Sequence, residues 1–436
     1  MSDKKSIVIS VIIPVHNAAG YISDTLSTVL SQTLNDIEII IVNDCSDDNT
    51  SEIVSALAET DSRIRVINNA TNLGGGGSRN VGLDAAIGEY VIFLDDDDHV
   101  EHQMLEHMYA RAIDIQADVV ICRSQSFDPA LQVYAPMPWS VRQELLPDLM
   151  VFSSQDIPSD FFRAFIWWPW DKLLRRQFIA AHQLRFQEIR TTNDLFFVCA
   201  FMLMANRISV LDEMLISHTI NRPESLSATR AESHHCAVEA LAALKTFICQ
   251  QGMMGQRLRD YKNYAVVFLE WHLNTISGPT FQPFYQQVQE FIGELDARDD
   301  DFYDEFITAA YRRITVLSAE EYIFSLKARV LKELEFFQAR SATLEQEVEG
   351  LTHSFAEQKS ENTLLHTQLD EIEERVAEQE KNIHQLTEKN NALRHEMTIK
   401  QQELNEVYQH YKELISSLSW KLTQPLRVVR RFFKRF

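Results

Sequence analysis

The sequence predicts an α/β fold with a mostly parallel sheet covered by helices on both faces, followed by an α-helical region and a long C-terminal coiled coil. Three features of the chain support this prediction. Runs rich in Val and Ile alternate with amphipathic stretches over residues 6–125, few turn signals interrupt residues 233–335, and a seven-residue apolar repeat begins near residue 344. The expected domains are 1–232, 233–335, 336–418 and 419–436.

The composition indicates several folded cores and excludes some classes of protein. The 436 residues include only 12 Gly and 11 Pro, which excludes a collagen-like or globally disordered chain. Lys and Arg number 41 against 63 Asp and Glu, so the net charge of −22 opposes binding to nucleic acid. The five cysteines lie far apart without a CxxC pair, which favours a reducing compartment over a disulfide framework. No run of 18 apolar residues is present, so we expect no membrane-spanning helix.

The first predicted element is a buried parallel strand at Ile7–Val15. Its apolar, β-branched run ends at Pro14 and a polar turn, which is typical of such a strand. The preceding Lys4 and Lys5 and the following small residues also resemble a short secretion signal, and this alternative stays open. The rhythm of the next hundred residues favours the strand.

Further strands are predicted at short apolar runs, with helical spacing between them. The runs lie at 37–44, 64–69, 88–94 and 118–122, and the first two helices at 21–31 and 51–59. Several prolines between 128 and 160 break this pattern and predict a long loop that shapes a pocket. Ligands of open α/β sheets bind at the carboxyl ends of the strands, so the residues after each run form the candidate site.

Four consecutive carboxylates, Asp95–Asp98, directly follow the run at 88–94. Clustered carboxylates repel one another, and a bound cation relieves this repulsion. Oxygen ligands select Mg²⁺ or Mn²⁺, usually shared with the phosphates of a substrate. The sequence therefore predicts a divalent metal site, with a solvated acidic turn as the alternative.

A glycine run at Gly74–Gly77 has the composition of a phosphate-binding loop but not its pattern. It lacks the GK[ST] ending of a P-loop, and Arg79 stands where a dinucleotide-binding fingerprint needs glycine. Neither nucleotide fingerprint is therefore present. A flexible turn remains the simple interpretation of the run.

A heptad repeat predicts a coiled coil over 336–418. With position a at Val348, 16 of the 21 a and d positions through Leu418 are apolar. Asn362 and Asn390 fall at a positions, where a buried Asn fixes register and favours two strands. We expect a parallel homodimer, and a single long helix folded back on the body is the alternative.

The last residues, 419–436, combine positive charge with large apolar side chains. Ser416–Phe436 contain six Lys and Arg and no acid, in a chain that is otherwise strongly acidic. Leu, Val, Phe and Trp lie between these charges, a mixture typical of segments that lie on an anionic membrane surface. Docking of this basic tail onto the acidic body of the protein is the alternative.

The order of these motifs resembles the family 2 glycosyltransferases of the GT-A fold, which have a Rossmann-like sheet. These enzymes move a sugar from a nucleotide diphosphate-sugar to an acceptor hydroxyl. The resemblance covers about residues 6–230, roughly half of the chain. Its six elements are Pro14–Asn17, Val42–Ser46, Asn72–Gly82, Phe93–Asp98, Trp170–Leu173 and Asn193-Asp194.

The resemblance implies a donor site after the first three strands. Pro14, His16 and Asn17 would line the pocket for the nucleotide base. Asp44 would accept a hydrogen bond from the imide of the base, which uridine and thymidine share. Arg79 would lie beside the base or the diphosphate.

The resemblance also implies roles for the acidic segments. Asp95 and Asp97 would form the D-x-D pair, with Asp95 and Asp96 among the donor-binding residues. Asp97 or Asp98 would reach the Mn²⁺ or Mg²⁺ ion while the other binds the ribose or diphosphate. Asp194 would be the catalytic base.

Five further candidates come from the later part of the same region. Arg222 resembles the arginine of a family segment near the donor diphosphate, and His218 is a candidate metal ligand, with a packed or surface histidine as the alternative. Trp168, Trp170 and Lys172 are candidate acceptor-binding residues; for the tryptophans, packing in the core is the alternative.

The chain departs from the family pattern at four positions. His16 replaces a Tyr, Asn43 an Asp, Cys45 a Gly and Asn193 a Glu. The key carboxylates remain, but Asn43 and Cys45 leave the details of base recognition open.

The expected activity is therefore that of an inverting, metal-dependent glycosyltransferase of bacterial surface-polysaccharide type, in the transferase class EC 2.4. It would extend a lipid-linked glycan of O-antigen or capsule on the cytoplasmic face of the inner membrane, as a peripheral homodimer. The alternative is a non-catalytic coiled-coil membrane scaffold with an inactive nucleotide-sugar-binding domain. A sugar nucleotidyltransferase would need a basic glycine-rich loop near the N-terminus, and residues 14–21 do not provide one.

Overall fold

A computed structural model describes residues 6–222, 230–361 and 369–416. The chain divides into two compact units. The first consists of Met1–His272 and Gln287–Arg312, and the second of Leu273–Gln286 and Arg313–Phe436.

The first unit contains a nine-stranded mixed sheet in the order β3-β2-β1-β4-β8-β6-β9-β5, with β7 paired to β6. The strands are β1 (Ile9–Val15), β2 (Ile37–Asn43), β3 (Ile64–Asn68), β4 (Tyr90–Phe93), β5 (His99–Val100), β6 (Val119–Asp128), β7 (Val133–Pro136), β8 (Lys172–Arg175) and β9 (Ile208–Thr219). The prediction of a mostly parallel sheet holds for β1 to β4. It also holds for β6 and β9, which pair in parallel. Strands β5, β7 and β8 run antiparallel to their neighbours, a feature that leaves no periodic signal because strand direction depends on the connections.

Strand β1 lies between β2 and β4, and all seven of its residues are buried. A strand with both faces covered needs apolar side chains on both, which explains its unbroken apolar run. Its place inside the sheet favours the strand over a removable secretion signal.

Helices cover the sheet and continue beyond it. They are α1 (Ile22–Leu30), α2 (Thr50–Thr60), α3 (Gly74–Ala85), α4 (Met104–Asp114), α5 (Phe161–Ala164), α6 (Arg176–Ala181), α7 (Leu195–Met204), α8 (His235–Gln250), α9 (Met254–Thr275), α10 (Phe281–Gly293), α11 (Glu305–Val316), α12 (Ala319–Glu361) and α13 (Leu369–Ser416). The proline-containing stretch at 128–160 holds β7 and three short 3₁₀ turns.

The helices after residue 232 do not form the separate domain expected over 233–335, because α8 and α9 up to His272 belong to the first unit. Arg257 and Asp260 on α9 are almost fully buried and form an ion pair of 2.8 Å. Arg257 also donates to the carbonyl of Ile157, and Asp260 accepts from the backbone N–H of Asp160. A buried ion pair needs such partners, so α9 is joined to the sheet-containing part of the chain.

The heptad residues of the second unit lie in two helices that pack antiparallel in the same chain. Ser341 on α12 donates to Asn390 on α13 at 2.8 Å, and Lys400 pairs with Glu333 at 2.8 Å. This arrangement differs from the expected single rod over 336–418, because the two helices contact each other within one chain. The parallel homodimer stays a prediction.

Several predicted features lie outside the described residues or have no test in the structure. The basic tail at 419–436 and the a-position residue Asn362 are not described. Among the helices described, none combines the length and apolar character needed to cross a membrane.

Candidate active site

Asp44 follows β2 and is 3% exposed. Its Oδ1 accepts hydrogen bonds of 2.8 Å from the backbone N–H of Leu73 and from Asn69 Nδ2. The backbone carbonyl of Asp44 lies 2.8 Å from Nδ1 of His16, which follows β1. Both side-chain bonds use Oδ1, so Oδ2 is the oxygen placed to meet a ligand.

The two unusual neighbours of Asp44 have structural roles. The Asn43 side chain donates to Asn68 at 2.9 Å and accepts from the Ser46 hydroxyl at 2.7 Å, so it joins two strand ends. Cys45 has a φ of 57°, in the left-handed region that favours glycine. This backbone conformation explains why the family pattern has Gly where this chain has Cys.

The glycine run begins helix α3 instead of forming a flexible turn. A Cβ on Gly76 would lie 2.0 Å from the carbonyl oxygen of Gln187, and one on Gly82 would lie 2.4 Å from Cγ2 of Ile12. Because no side chain fits in these gaps, the glycines let α3 approach both β1 and the segment near residue 187. Their role is close packing, and this packing positions Arg79.

Arg79 on α3 joins two parts of the site. Its Nη1 donates to Asn193 Oδ1 at 2.9 Å, and its Nη2 donates to Asp95 Oδ1 at 2.5 Å. The residue is 7% exposed. A planar guanidinium can hold two acceptors at fixed angles, so Arg79 fixes the distance between the acidic segment and the start of α7.

Asp95, Asp98 and His218 form a cluster of candidate metal ligands. One ligand atom from each lies within 4.8 Å of the other two. Asp98 is 1% exposed, and its Oδ1 lies 2.8 Å from His218 Nδ1. Burial opposes a charge on His218, but the Asp98 carboxylate outweighs burial and raises the pKa of this histidine to about 9.

Asp97 does not join this cluster. Its Oδ2 lies 3.0 Å from Arg222 Nε, and its backbone carbonyl accepts from Thr219. Burial and the neighbouring Asp98 raise the pKa of Asp97 to about 7. The structure therefore groups Asp95, in place of the expected Asp97, with Asp98 and His218.

Two further groups surround the Asp97–Arg222 pair. Burial and then Asp97 raise the pKa of Asp96 well above its usual value, and the backbone of Asp96 accepts from Thr25 at 2.9 Å. The Arg222 guanidinium lies 4.0 Å from the centre of the Tyr21 ring. No sequence motif had marked Tyr21 as part of the site.

Asp194 is only partly exposed and stands directly before α7, next to Asn193, which Arg79 holds. Burial raises the pKa of Asp194 to about 7; Arg79 lowers it and Asp95 adds to the rise. A carboxyl group with a pKa near neutrality is suited to accept a proton from a hydroxyl.

Comparison with known proteins identifies the part of the chain that builds this site. Residues 10–210 match the family model for glycosyl transferase family 2. Over these residues the chain is similar to the family 2 glycosyltransferases. The recognised residues include the strand ends and Asp194, and the relatives found are named as glycosyltransferases.

Three matches illustrate the range of this similarity. The uncharacterized glycosyltransferase EpsJ of Bacillus subtilis strain 168 is 34% identical over 220 residues, which cover 50% of this chain and 62% of that protein. Glycosyltransferase GlyA of Streptococcus pneumoniae serotype 4 is 26% identical, over 69% of this chain and 44% of that protein. The chain thus spans less than two thirds of these two relatives. The crystal structure of S. aureus TarS 1-349 with UDP-GlcNAc is 20% identical, with a TM-score of 0.46, and covers 70% of this chain and 90% of that one.

The first unit places Trp170 and Lys172 in its interior. Lys172 is fully buried, and its Nζ donates to the carbonyls of Ile166 and Trp168 and to Asp171. These bonds use all three ammonium hydrogens. Trp170 is 1% exposed and stacks on His218 with ring centres 5.0 Å apart. These placements favour structural roles over acceptor contact.

Trp168 is placed differently in the first unit. It is partly exposed, and its ring lies 5.1 Å from His218 and 5.5 Å from Trp139, which is 44% exposed. It therefore remains the acceptor-binding candidate of the three. Pro14 is buried within β1, whereas the adjacent His16 and Asn17 are exposed at its end.

Proposed function

We propose that this protein is an inverting, metal-dependent glycosyltransferase that moves a sugar from a UDP- or dTDP-sugar to an acceptor hydroxyl. The observation that supports it most is the placement of Asp194. One guanidinium, that of Arg79, links Asp95 to the residue beside this candidate base. A proton acceptor and a charge-binding group therefore lie at one site, as sugar transfer requires.

The donor side rests on Asp44 and its surroundings. Asp44 is buried and oriented by two hydrogen bonds to Oδ1, so its Oδ2 can accept a hydrogen bond from the imide of uracil or thymine. His16 and Asn17 are exposed beside it and are suited to line the base pocket. A guanine imide offers the same kind of donor, and binding experiments with the three bases decide among them.

The cluster of Asp95, Asp98 and His218 fits a divalent cation. The two carboxylates suit Mg²⁺ or Mn²⁺, and the imidazole offers a nitrogen ligand beside them. These residues would hold the ion, which when bound neutralises charge on the leaving diphosphate. Arg222, held by Asp97 and Tyr21, adds a fixed positive charge beside the cluster.

Asp194 would act on the acceptor. The hydroxyl oxygen forms a bond to the anomeric carbon while the bond from that carbon to the diphosphate breaks, and the hydroxyl proton moves to the Asp194 carboxylate. Attack from the face opposite the diphosphate inverts the anomeric configuration. General-base help of this kind contributes roughly 10²–10⁴-fold to a rate.

The wider setting is proposed from the sequence. We place the acceptor on a lipid-linked glycan of O-antigen or capsule at the cytoplasmic face of the inner membrane. The basic, apolar tail at 419–436 supports peripheral contact with anionic lipid. The heptad repeat supports a homodimer, although within one chain α12 and α13 also pack on each other.

The purified full chain tests the proposal with a panel of UDP-, dTDP- and GDP-sugars, Mn²⁺ or Mg²⁺, and lipid-linked glycan. We expect release of one nucleoside diphosphate and a loss of roughly 10²–10⁴-fold in Asp194→Asn. Asp84→Asn, an exposed carboxylate on α3 paired with Arg185, is the matched control and should keep full activity. An unaffected Asp194→Asn, or no turnover of any donor with acceptor present, contradicts the proposal.

A further inference from the structure

A cavity opens in the first unit, on the other face of the sheet from His218. Its volume is about 430 Å³, within the range of roughly 300–1,000 Å³ typical of ligand sites. Successive strand residues point to opposite faces, so Ser217 and His218 on β9 face away from each other. Gln125 on β6 is the register partner of Ser217, and both line the cavity.

One wall of the cavity is aromatic. Tyr134 on β7 is 56% exposed, and its ring stacks on Phe127 with centres 4.6 Å apart and an angle of 26°. Phe127 is itself held edge-on by the ring of His99, at 6.1 Å. One face of Tyr134 is therefore supported from behind while the ring remains open to a ligand.

The remaining wall offers neutral hydrogen-bonding groups and one carboxylate. Gln125 Nε2 donates to Ser217 Oγ at 3.0 Å, which orients the amide and leaves its Oε1 as an acceptor. Nδ1 of His99 is buried and has no hydrogen-bond partner among the described residues. Glu101 is exposed at the rim, and Thr28 and Val100 complete the lining.

This combination selects the class of ligand. The described lining residues include no Lys or Arg, and Glu101 repels anions, so a phosphate or a nucleotide is disfavoured. An apolar ligand would leave the polar groups without partners, which is costly. A sugar ring has hydroxyls for the polar wall and an apolar C–H face for an aromatic ring.

We propose that this cavity binds a neutral sugar unit of a glycan, separately from the donor site. Sugar binding here does not depend on the transferase activity. Its use, holding an acceptor glycan on the domain while one end reacts, rests on the proposed function.

Saturation-transfer NMR tests the binding with the full chain and three probes: the methyl β-glycosides of glucose, galactose and N-acetylglucosamine. We expect transfer to the ring protons of at least one probe, and a fall of about two- to tenfold in Tyr134→Ala. Leu131→Ala, an exposed apolar residue before β7 that does not line the cavity, is the control and should keep the signal.

Added UDP should leave the signal unchanged, because it occupies the donor site. The proposal is overturned if no probe receives saturation, if Tyr134→Ala keeps the full signal, or if UDP displaces the probe. Donor turnover is measured on the same samples. Saturation without turnover would refute the proposed function and leave this cavity standing, whereas turnover without saturation would refute only the cavity.

Discussion

Arg79 is the residue whose replacement should show most about how the site works. Its guanidinium spans two acceptors, Asn193 at 2.9 Å and Asp95 at 2.5 Å. In Arg79→Lys the charge remains, but a single ammonium on a flexible stem cannot hold both acceptors in the same fixed geometry. The variant therefore separates the effect of positioning from the effect of charge.

The size of the effect follows from the lost bond. A hydrogen bond to a charged group contributes roughly 1.5–3 kcal/mol, which corresponds to a fall of about 10- to 150-fold in kcat/KM. A displacement of about 1 Å at the base has a similar cost, roughly 10²-fold. Because Asn193 directly precedes Asp194, we expect most of the loss in kcat.

Steady-state release of nucleoside diphosphate measures this prediction. Arg185→Lys is the matched control, since the Arg185–Asp84 pair is exposed and should contribute little. A double-mutant cycle with Asn193→Ala gives a second test, because the two losses should not add if they break the same bond. Activity of Arg79→Lys close to wild type, or strictly additive losses, would refute the reasoning.

Three further outcomes are expected. The rate should rise as pH increases through about 7, because burial raises the pKa of Asp194 to about 7 and only the ionised carboxylate accepts a proton. The ionisable groups that influence this pKa are Arg79, Asp95, Cys199 and Tyr264. A flat profile of kcat/KM between pH 5.5 and 8.5 would be inconsistent with Asp194 as the base. Tyr21→Ala should raise KM for the donor by about 2- to 30-fold, because it removes the ring that contacts Arg222. Tyr21→Phe keeps this ring and should keep the KM close to wild type, so equal effects of the two variants would exclude the ring as the cause. Gly76→Ala should destabilise the fold by roughly 1–3 kcal/mol, measured as a lower Tm, because the added Cβ would lie 2.0 Å from the carbonyl oxygen of Gln187. The control is Gly20→Ala, whose Cβ would have nothing within 4 Å, and equal Tm values for the two variants would contradict the packing argument.

Local patterns in the chain predicted β1 to β4, the start of β6 and the edge that holds the candidate site. The apolar run before Pro14 became a fully buried strand, and Asp95–Asp98 follow β4 as expected. Such patterns are informative because successive strand residues face opposite sides of the sheet. Burial on one face or on both therefore shows in every residue or every second residue of the run. The proposal that this edge of the sheet binds a ligand therefore needed no tertiary information.

The partners of individual side chains were not predictable in this way. Asp98 and His218 are 120 residues apart in the chain, and nothing near Asp97 in the sequence marks Arg222 as its partner. Lys172 lies in a recognisable motif, yet its burial and its three hydrogen bonds depend on how the preceding loop folds. The exchange of Asp97 for Asp95 in the candidate metal cluster has the same origin.

The sequence by itself determined β1 to β4, the acidic segment after β4, the family resemblance and the presence of a heptad repeat. Only the tertiary structure decided that Arg79 joins Asp95 to Asn193, that α9 belongs with the sheet, and that α12 and α13 pack antiparallel in one chain. The physical reason is the range of the interactions. Periodicity reports the environment of neighbouring residues, whereas ion pairs, strand direction and helix pairing depend on contacts between distant parts of the chain.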